Sequence, residues 1–122
     1  MVSFEAFRTV DGTPVYLQII NFIKRGAIAG TIRDGDELPS RRVLSALLGI
    51  NPNTVQKAFH MLEEEHLMES RTGAKSCMTL PPDTLDALRR EVLSDELRAM
   101  ARTLRQLGIS REEALRLIEQ AW

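Results

Sequence analysis

The amino-acid sequence predicts a mostly α-helical fold with one small β-hairpin. Five stretches repeat apolar residues at helical spacing, and each begins or ends at a residue that suits a helix cap. Two of them are separated only by a very short turn at Gly49, and a glycine-containing segment between short strand-forming runs follows. With 122 residues, the chain can form one compact domain or one small domain with a helical appendage.

The first predicted helix runs from Pro14 to about Ala29. Apolar residues recur along it with a period near 3.6 residues, which is typical of a helix with one buried face. Thr13 is predicted to cap its start, and Pro14 suits the first helical position, where the missing N–H costs nothing. Gly30 is predicted to end it in a left-handed conformation.

The second and third predicted helices form a helix-turn-helix. Ser40 is a good cap for the second helix, and Gly49 ends it. Asn51 and Pro52 then open a third helix after a turn of very few residues.

The segment after the third helix is predicted to form a β-hairpin. Leu67–Ser70 and Ser76–Leu80 are modest strand formers on either side of a glycine-containing turn. Three helices followed by a hairpin make a winged helix. Two consecutive prolines come next and disfavour continued regular structure. We therefore predict a winged helix-turn-helix domain over residues 1–80 and a second region over 81–122.

The region 81–122 is predicted to form a two-helix dimerisation element. A long helix from Asp83 to about Leu107, and a last helix opened by Ser110 and Glu113, each carry an apolar stripe. A two-helix hairpin cannot bury both stripes by itself, so a second copy is expected to cover them in a two-fold interface. The alternative is a monomer in which these helices fold back on the winged helix. The predicted interface residues are Leu85, Leu88, Val92, Leu93, Leu97, Met100, Leu104, Leu107, Leu115, Ile118 and Trp122.

Composition and charge limit the possible functions. Cys77 is the single cysteine, which excludes an intrachain disulfide and agrees with a reducing compartment. No apolar run approaches the roughly 18 residues of a membrane span and no signal peptide is evident, so we expect a cytoplasmic protein without membrane contact. The net charge is −1, yet the segment 38–62 contains three cations and no acidic residue. Such a stretch also arises by chance, so charge alone does not decide whether the chain binds DNA.

The start of the third helix carries residues suited to DNA. In a helix-turn-helix, the second helix of the pair enters the major groove with its N-terminal side chains at the base edges. Asparagine and glutamine suit adenine, arginine suits guanine, and serine or threonine suits a phosphate or a thymine methyl group. The predicted DNA-binding residues are Ser40, Arg41, Arg42, Asn51, Asn53, Thr54, Gln56 and Lys57, and in the wing Arg71, Thr72, Gly73 and Lys75.

Each of these residues also has a purely structural interpretation. Asn51 caps the third helix whether or not it contacts DNA, and Asn53 and Thr54 are ordinary first-turn residues. An exposed arginine such as Arg42 is usually only solvated. DNA binding is favoured because suitable residues occur together at the start of the second helix, at the start of the third helix and in the wing of one predicted winged helix.

Three ordered runs of the sequence resemble the GntR family of bacterial transcription regulators. They are residues 14–19 (PVYLQI), 35–44 (GDELPSRRVL) and 51–59 (NPNTVQKAF), and the resemblance covers about residues 10–80. The third run and the short C-terminal part resemble the YtrA-like subfamily in particular. The resemblance implies a winged helix that binds a double-stranded operator inverted repeat as a homodimer and usually represses transcription, without a large effector domain.

Carried over by position, the resemblance implies DNA contacts at Arg42, Asn51, Asn53, Thr54, Thr72, Gly73 and Lys75. The chain departs from the family pattern at Arg41, where the family often has an acidic or apolar residue, and after Gly73, where a second glycine is usual. The role of Arg41 and the detailed wing contacts therefore stay open. No cofactor or metal ion is implied, and the sequence identifies neither the operator nor a small-molecule effector.

Two other classes of function fit the sequence less well. An enzyme is disfavoured because His60 and His66 lack a third ligand at metal spacing, and Cys77 has no histidine partner nearby in sequence. No phosphate-binding loop or serine nucleophile motif is present either. A winged helix that binds protein would tolerate acidic residues on its third helix, where this chain has Asn53 and Gln56.

Overall fold

The fold is mostly helical with one small sheet, as predicted, in a computed structural model that describes residues 1–71 and 75–122. The chain divides into two compact units, Met1–Leu88 and Arg89–Trp122. The elements in chain order are α1 (Val15–Ala29), β1 (Glu37–Leu38), α2 (Arg41–Leu48), α3 (Pro52–Glu64), β2 (Met68–Arg71), β3 (Lys75–Met78), α4 (Pro82–Gln106) and α5 (Arg111–Ala121). No helix in the described ranges is long and apolar enough to span a membrane.

Helix α1 begins differently from the prediction. It starts at Val15, with Pro14 in the capping position and no side-chain cap, so the prediction that Thr13 caps it is wrong. The backbone carbonyl of Thr13 instead accepts a hydrogen bond of 2.7 Å from the amide of Gln18. The same amide side chain both donates to and accepts from the backbone of Val10 at 2.9 Å. Gln18 therefore organises the entry to α1 in place of a cap.

The wing is a three-stranded antiparallel sheet in the order β1-β3-β2. The predicted pairing of β2 with β3 is confirmed, and Arg71 lies opposite Lys75. Strand β1 was not predicted, because two residues are too short to show an alternating pattern. It pairs with the other edge of β3, with Leu38 opposite Ser76.

The core of the first unit lies where α1, α2, α3 and the sheet meet. Its largest fully buried side chains are Phe59, Ile19, Ile23, Leu44, Leu62, Met78 and Val55. Residues before α1 add to it, although the sequence predicts no regular element there: Phe4 stacks on Phe22 with ring centroids 5.2 Å apart. The backbone N–H of Val2 also donates to the carbonyl of Glu37 at 2.8 Å, which ties the N-terminal segment to β1.

Helix α3 ends in a Schellman motif with histidine in the left-handed position. His66 has φ 61°. The N–H of Leu67 donates to the carbonyl of Leu62, and the N–H of His66 donates to that of Glu63, both at 3.0 Å. A left-handed conformation costs a non-glycine residue about 1 kcal/mol, so this helix end is conformationally strained.

Replacing His66 with glycine is therefore expected to stabilise the chain by about 0.5–1 kcal/mol and to raise the thermal midpoint by a few degrees. Glu64→Gly is the matched control, since it places glycine two residues earlier inside α3, where it should destabilise by about 1 kcal/mol. Thermal and urea unfolding of the three proteins measure both effects. A His66→Gly protein less stable than the parent would contradict the assignment of strain.

The second unit is a hairpin of the later turns of α4 with α5. Gly108 and Ile109 donate backbone hydrogen bonds to the carbonyls of Arg105 and Leu104, both at 3.0 Å, and so end α4. The predicted cap of α5 is confirmed by the hydrogen bond from the N–H of Glu113 to Ser110 Oγ at 3.2 Å. Because α5 has no buried residue, its apolar face remains accessible.

Candidate nucleic-acid interface

The turn between α2 and α3 is fixed by hydrogen bonds on both of its sides. Gly49 ends α2 at φ 66°, in the left-handed conformation that glycine adopts without strain. The buried hydroxyl of Ser45 donates to the carbonyl of Ile50 at 2.6 Å, and the N–H of Ile50 donates back to the carbonyl of Ser45 at 3.1 Å. The two helices therefore form a rigid helix-turn-helix, which the sequence predicted.

Both helices of this pair begin at predicted caps. Ser40 Oγ accepts a hydrogen bond from the N–H of Val43 at 3.1 Å, and Asn51 Oδ1 accepts one from the N–H of Asn53 at 2.8 Å. The structural interpretation of Asn51 as a cap is thus confirmed. Neither helix has an acidic residue in its first turn, so no carboxylate there neutralises the partial positive charge of the two N-termini.

An open groove of about 560 Å³ runs between α2 and α3, and four of its lining residues, Arg41, Arg42, Asn53 and Gln56, are predicted DNA-binding residues. The lining residues are Arg41, Arg42, Ser45, Ala46, Pro52, Asn53 and Gln56. Asn53, Gln56 and Lys57 are exposed, and Thr54 is half-buried. Because Asn53 and Lys57 are four residues apart, they lie on the same face of α3.

Arg42 and Arg41 are adjacent in sequence but have different environments. Arg42 is exposed, and no acidic side chain in the described ranges lies within salt-bridge distance of it. Arg41 turns back onto α3, where its Nη2 lies 3.1 Å from Glu63 Oε1 and its guanidinium lies 5.6 Å from the centre of the Phe59 ring. Ser70 donates to the same carboxylate oxygen at 3.3 Å. The Arg41 side chain is therefore engaged inside the domain, where it helps to join α2, α3 and β2.

Lys57 is held by a residue that the sequence did not point to. Its Nζ lies 4.0 Å from the centre of the Tyr16 ring, on the first turn of α1. A cation–π contact at an exposed site contributes about 0.5–1 kcal/mol, which orients the side chain without preventing its exchange for another partner. Tyr16 and Lys57 are 41 positions apart, so no local pattern links them.

The two described cations of the wing are paired within the sheet. Arg71 Nη2 lies 3.2 Å from Glu69 Oε1, and Lys75 Nζ lies 3.9 Å from Glu37 Oε1. All four side chains are more than a third exposed, so each pair contributes at most about 1 kcal/mol and exchanges readily. The other two predicted wing contacts, Thr72 and Gly73, lie outside the described residues.

The described residues contain no group of three histidine, cysteine, aspartate or glutamate side chains that could hold a metal ion. His60 pairs instead with Glu64 one turn along α3, at 2.9 Å. Cys77 is buried in the central strand of the sheet. His60 is thus in contact with another side chain of α3, and Cys77 is packed inside the sheet.

A helix-turn-helix followed by a small antiparallel sheet defines a winged helix-turn-helix, the fold of many DNA-binding transcription regulators. Within that class, the chain belongs to the GntR family, because the model of the bacterial regulatory proteins of the gntR family matches residues 15–75. It is a DNA-binding transcription regulator rather than an enzyme.

Relatives and a solved structure extend this assignment. The chain is 28% identical over 102 residues to the HTH-type transcriptional regulator YhcF of Bacillus subtilis, covering 84% of each chain. It is 43% identical over 63 residues to the HTH-type transcriptional repressor YtrA of Bacillus subtilis, covering 52% of this chain and 48% of that one. The predicted resemblance to the YtrA-like subfamily is thereby confirmed. A GntR family transcriptional regulator from Listeria monocytogenes has a similar structure, with a TM-score of 0.83, 27% identity, and coverage of 92% of this chain and 98% of that one.

Proposed function

We propose that this regulator binds an operator inverted repeat as a homodimer and represses transcription. The observation that carries the proposal is the face of α3 on which Asn53, Gln56 and Lys57 are exposed beside Arg42, which forms no salt bridge with any described residue. A helix fits the major groove of B-DNA, and asparagine and glutamine amides form bidentate hydrogen bonds with adenine. Asn53 and Gln56 therefore read bases, and Arg42 contacts a guanine or the adjacent backbone.

The remaining residues of this surface position the domain on the DNA backbone. Ser40, Asn51 and Thr54 lie at the N-terminal ends of α2 and α3, where free N–H groups and the helix dipole favour a phosphate. Lys57 contacts a phosphate from the side of α3 next to α1, toward which Tyr16 draws its ammonium group. Arg41 acts through Glu63 rather than on DNA.

The wing contacts the flanking backbone through Arg71, Thr72, Gly73 and Lys75. When DNA binds, Arg71 exchanges its partner Glu69 for a phosphate, and Lys75 exchanges Glu37 for one. The two carboxylates are then left close to the negatively charged DNA. The wing consequently adds less affinity than its cations alone would suggest, and α3 supplies most of the recognition.

The apolar surface of the second unit supports the homodimer. The exposed large apolar side chains of α4, α5 and the residues that directly follow them are Leu93, Leu97, Met100, Leu107, Leu115, Leu117 and Trp122, each at least 42% exposed. Exposed apolar side chains concentrated on one part of a molecule are typical of a surface that a protein partner covers. Val92, Leu104 and Ile118 are half-buried beside them.

The N-terminal end of the predicted interface needs revision. Leu88 is only 5% exposed and belongs to the first compact unit, so it has little surface to offer a partner, and Leu85 is half-buried in the same unit. We propose that residues 1–80 form the DNA-binding domain and residues 81–122 the dimerisation region, with its interface centred on Leu93–Leu107 and α5.

Repression is supported by the name of one relative. YtrA of Bacillus subtilis is a transcriptional repressor, and its 63 matched residues are 43% identical to this chain. Repression is tested with a reporter gene placed behind the operator. We expect expression to fall when the chain is produced and to recover with Arg42→Ala; a rise in expression would identify an activator.

Selection of bound duplexes from a random library tests the DNA-binding mode. We expect an inverted repeat whose half-site centres are about 34 Å apart, or a multiple of that distance. Affinity for this repeat should fall steeply with salt, because each neutralised phosphate adds about −0.9 to the slope of log K against log salt. A shuffled duplex of the same composition is the control. Failure to enrich any repeat, or affinity independent of salt, would contradict the proposal and favour a protein partner instead.

A further inference from the structure

The hairpin of α4 and α5 leaves an apolar groove between its two helices. The groove has a volume of about 390 Å³, and its apolar walls include Leu97, Met100, Leu104, Ile109, Leu115 and Ile118. Most of its wall is apolar and cannot hydrogen-bond to the water that would otherwise fill it. An apolar side chain of suitable size would therefore be favoured in this groove.

Trp122 is the most exposed large apolar side chain of the second unit. Its exposure is 102%, and it does not line the groove of its own chain. It continues the face of α5 that carries Leu115 and Ile118, because the three residues follow at steps of three and four. One chain thus presents an unfilled apolar groove and, one helical turn beyond it, an unburied indole.

We infer that Trp122 of each subunit fills the α4–α5 groove of the other subunit in the dimer. This inference rests on the proposed homodimer and identifies its central contact. A two-fold operation that places one indole in the partner's groove places the second indole in the first groove, so both grooves and both indoles are covered at once. A buried tryptophan covers about 150–250 Å² of apolar surface.

The groove rim favours an indole over a simple aliphatic group. Arg105 and Arg111 line it, and no carboxylate in the described ranges lies within salt-bridge distance of either guanidinium. An arginine guanidinium stacks well on an indole ring, and tryptophan with arginine is a frequent centre of protein interfaces.

A second copy of the chain would cover more of the exposed apolar surface than a small ligand would. Leu93, Leu107 and Leu117 are also exposed but do not line the groove. A ligand confined to the groove would leave these residues in water, whereas a second hairpin laid across it can also cover exposed side chains outside the groove.

Tryptophan fluorescence of the full chain tests the inference directly, since Trp122 is the single tryptophan. Emission and iodide quenching are followed over a dilution series, with sedimentation velocity reporting the oligomeric state of the same samples. We expect blue-shifted, protected emission in the dimer and red-shifted, fully quenchable emission as dimers dissociate. The two transitions should share one midpoint concentration.

Three variants separate the indole contact from a general loss of apolar surface. Trp122→Ser is expected to weaken dimerisation about 30-fold or more, as for a central interface tryptophan. Leu117→Ser, which alters an exposed leucine outside the groove, should weaken it by only a few fold. Ala114→Phe, which fills the groove from its own chain, should weaken dimerisation while Trp122 stays quenchable.

The possible outcomes distinguish this inference from the proposed function. A dimer in which Trp122 remains red-shifted and fully quenchable overturns the inference and leaves the homodimer standing. Protected emission that does not change on dilution to the monomer also overturns it, because the indole would then be buried in its own chain. A chain that is monomeric at all concentrations overturns both the inference and the homodimer.

Discussion

Replacing Arg42 with alanine is expected to lower operator affinity about ten-fold or more and to leave the fold intact. Losing a bidentate contact between arginine and guanine costs about 1–3 kcal/mol, and a lost phosphate contact also lowers the salt slope by about one. The Arg42 side chain is exposed and unpaired among the described residues, so its removal should change the free energy of unfolding by less than about 0.5 kcal/mol. Titration on the selected operator at several salt concentrations measures the affinity and its salt slope.

The neighbouring residue supplies a matched control. Arg41→Ala removes the same side chain one position earlier, but it breaks the ion pair with Glu63 and exposes the Phe59 ring. It is therefore expected to destabilise the chain by about 1 kcal/mol while changing operator affinity by less than about two-fold. If Arg42→Ala leaves affinity unchanged, the proposed contact is wrong. If Arg41→Ala lowers affinity as much without unfolding the chain, Arg41 itself contacts DNA.

The two arginines illustrate how far the sequence predicts this site. The caps at Ser40 and Asn51 and the turn at Gly49 are local signals, since each acts on backbone groups within a few residues, and all three are observed. The orientation of Arg41 depends on Glu63, which is 22 positions away on another helix. Only the packing of α2 on α3 brings Arg41 and Glu63 together, and no local sequence pattern links residues so far apart in the chain.

The same reasoning explains what the sequence missed elsewhere. Strand β1 has two residues, and it forms because β3 offers a free edge rather than because of its own strand propensity. The contact of Tyr16 with Lys57 depends on how α1 crosses α3. The aromatic cluster of Phe4 and Phe22 buries a segment without any regular element. Each feature is a tertiary contact between residues distant in sequence, whereas helical periodicity and caps are local.

Replacing both Leu97 and Leu104 with glutamate is expected to convert the proposed dimer into monomers. Both leucines line the α4–α5 groove, so a two-fold interface centred there would bury four new carboxylates close together. Burying unpaired charge is far costlier than the apolar contacts it replaces. A monomer can occupy only one half-site, so loss of the linked second contact should weaken operator binding by about 10²- to 10⁴-fold. Sedimentation velocity and operator titration measure the two effects.

The double variant Ala99→Glu with Gln106→Glu is the matched control for this experiment. It introduces the same charge at the same spacing of seven residues, at exposed positions of α4 that do not line the groove. It should remain dimeric and bind the operator nearly as well as the parent, apart from a small general repulsion of DNA. Circular dichroism shows whether α4 and α5 stay helical in both variants. An intact dimer in the leucine variant would mean that the interface lies on another face of these helices. Equal dissociation of the two variants would mean that charge on α4, rather than the apolar groove, controls assembly.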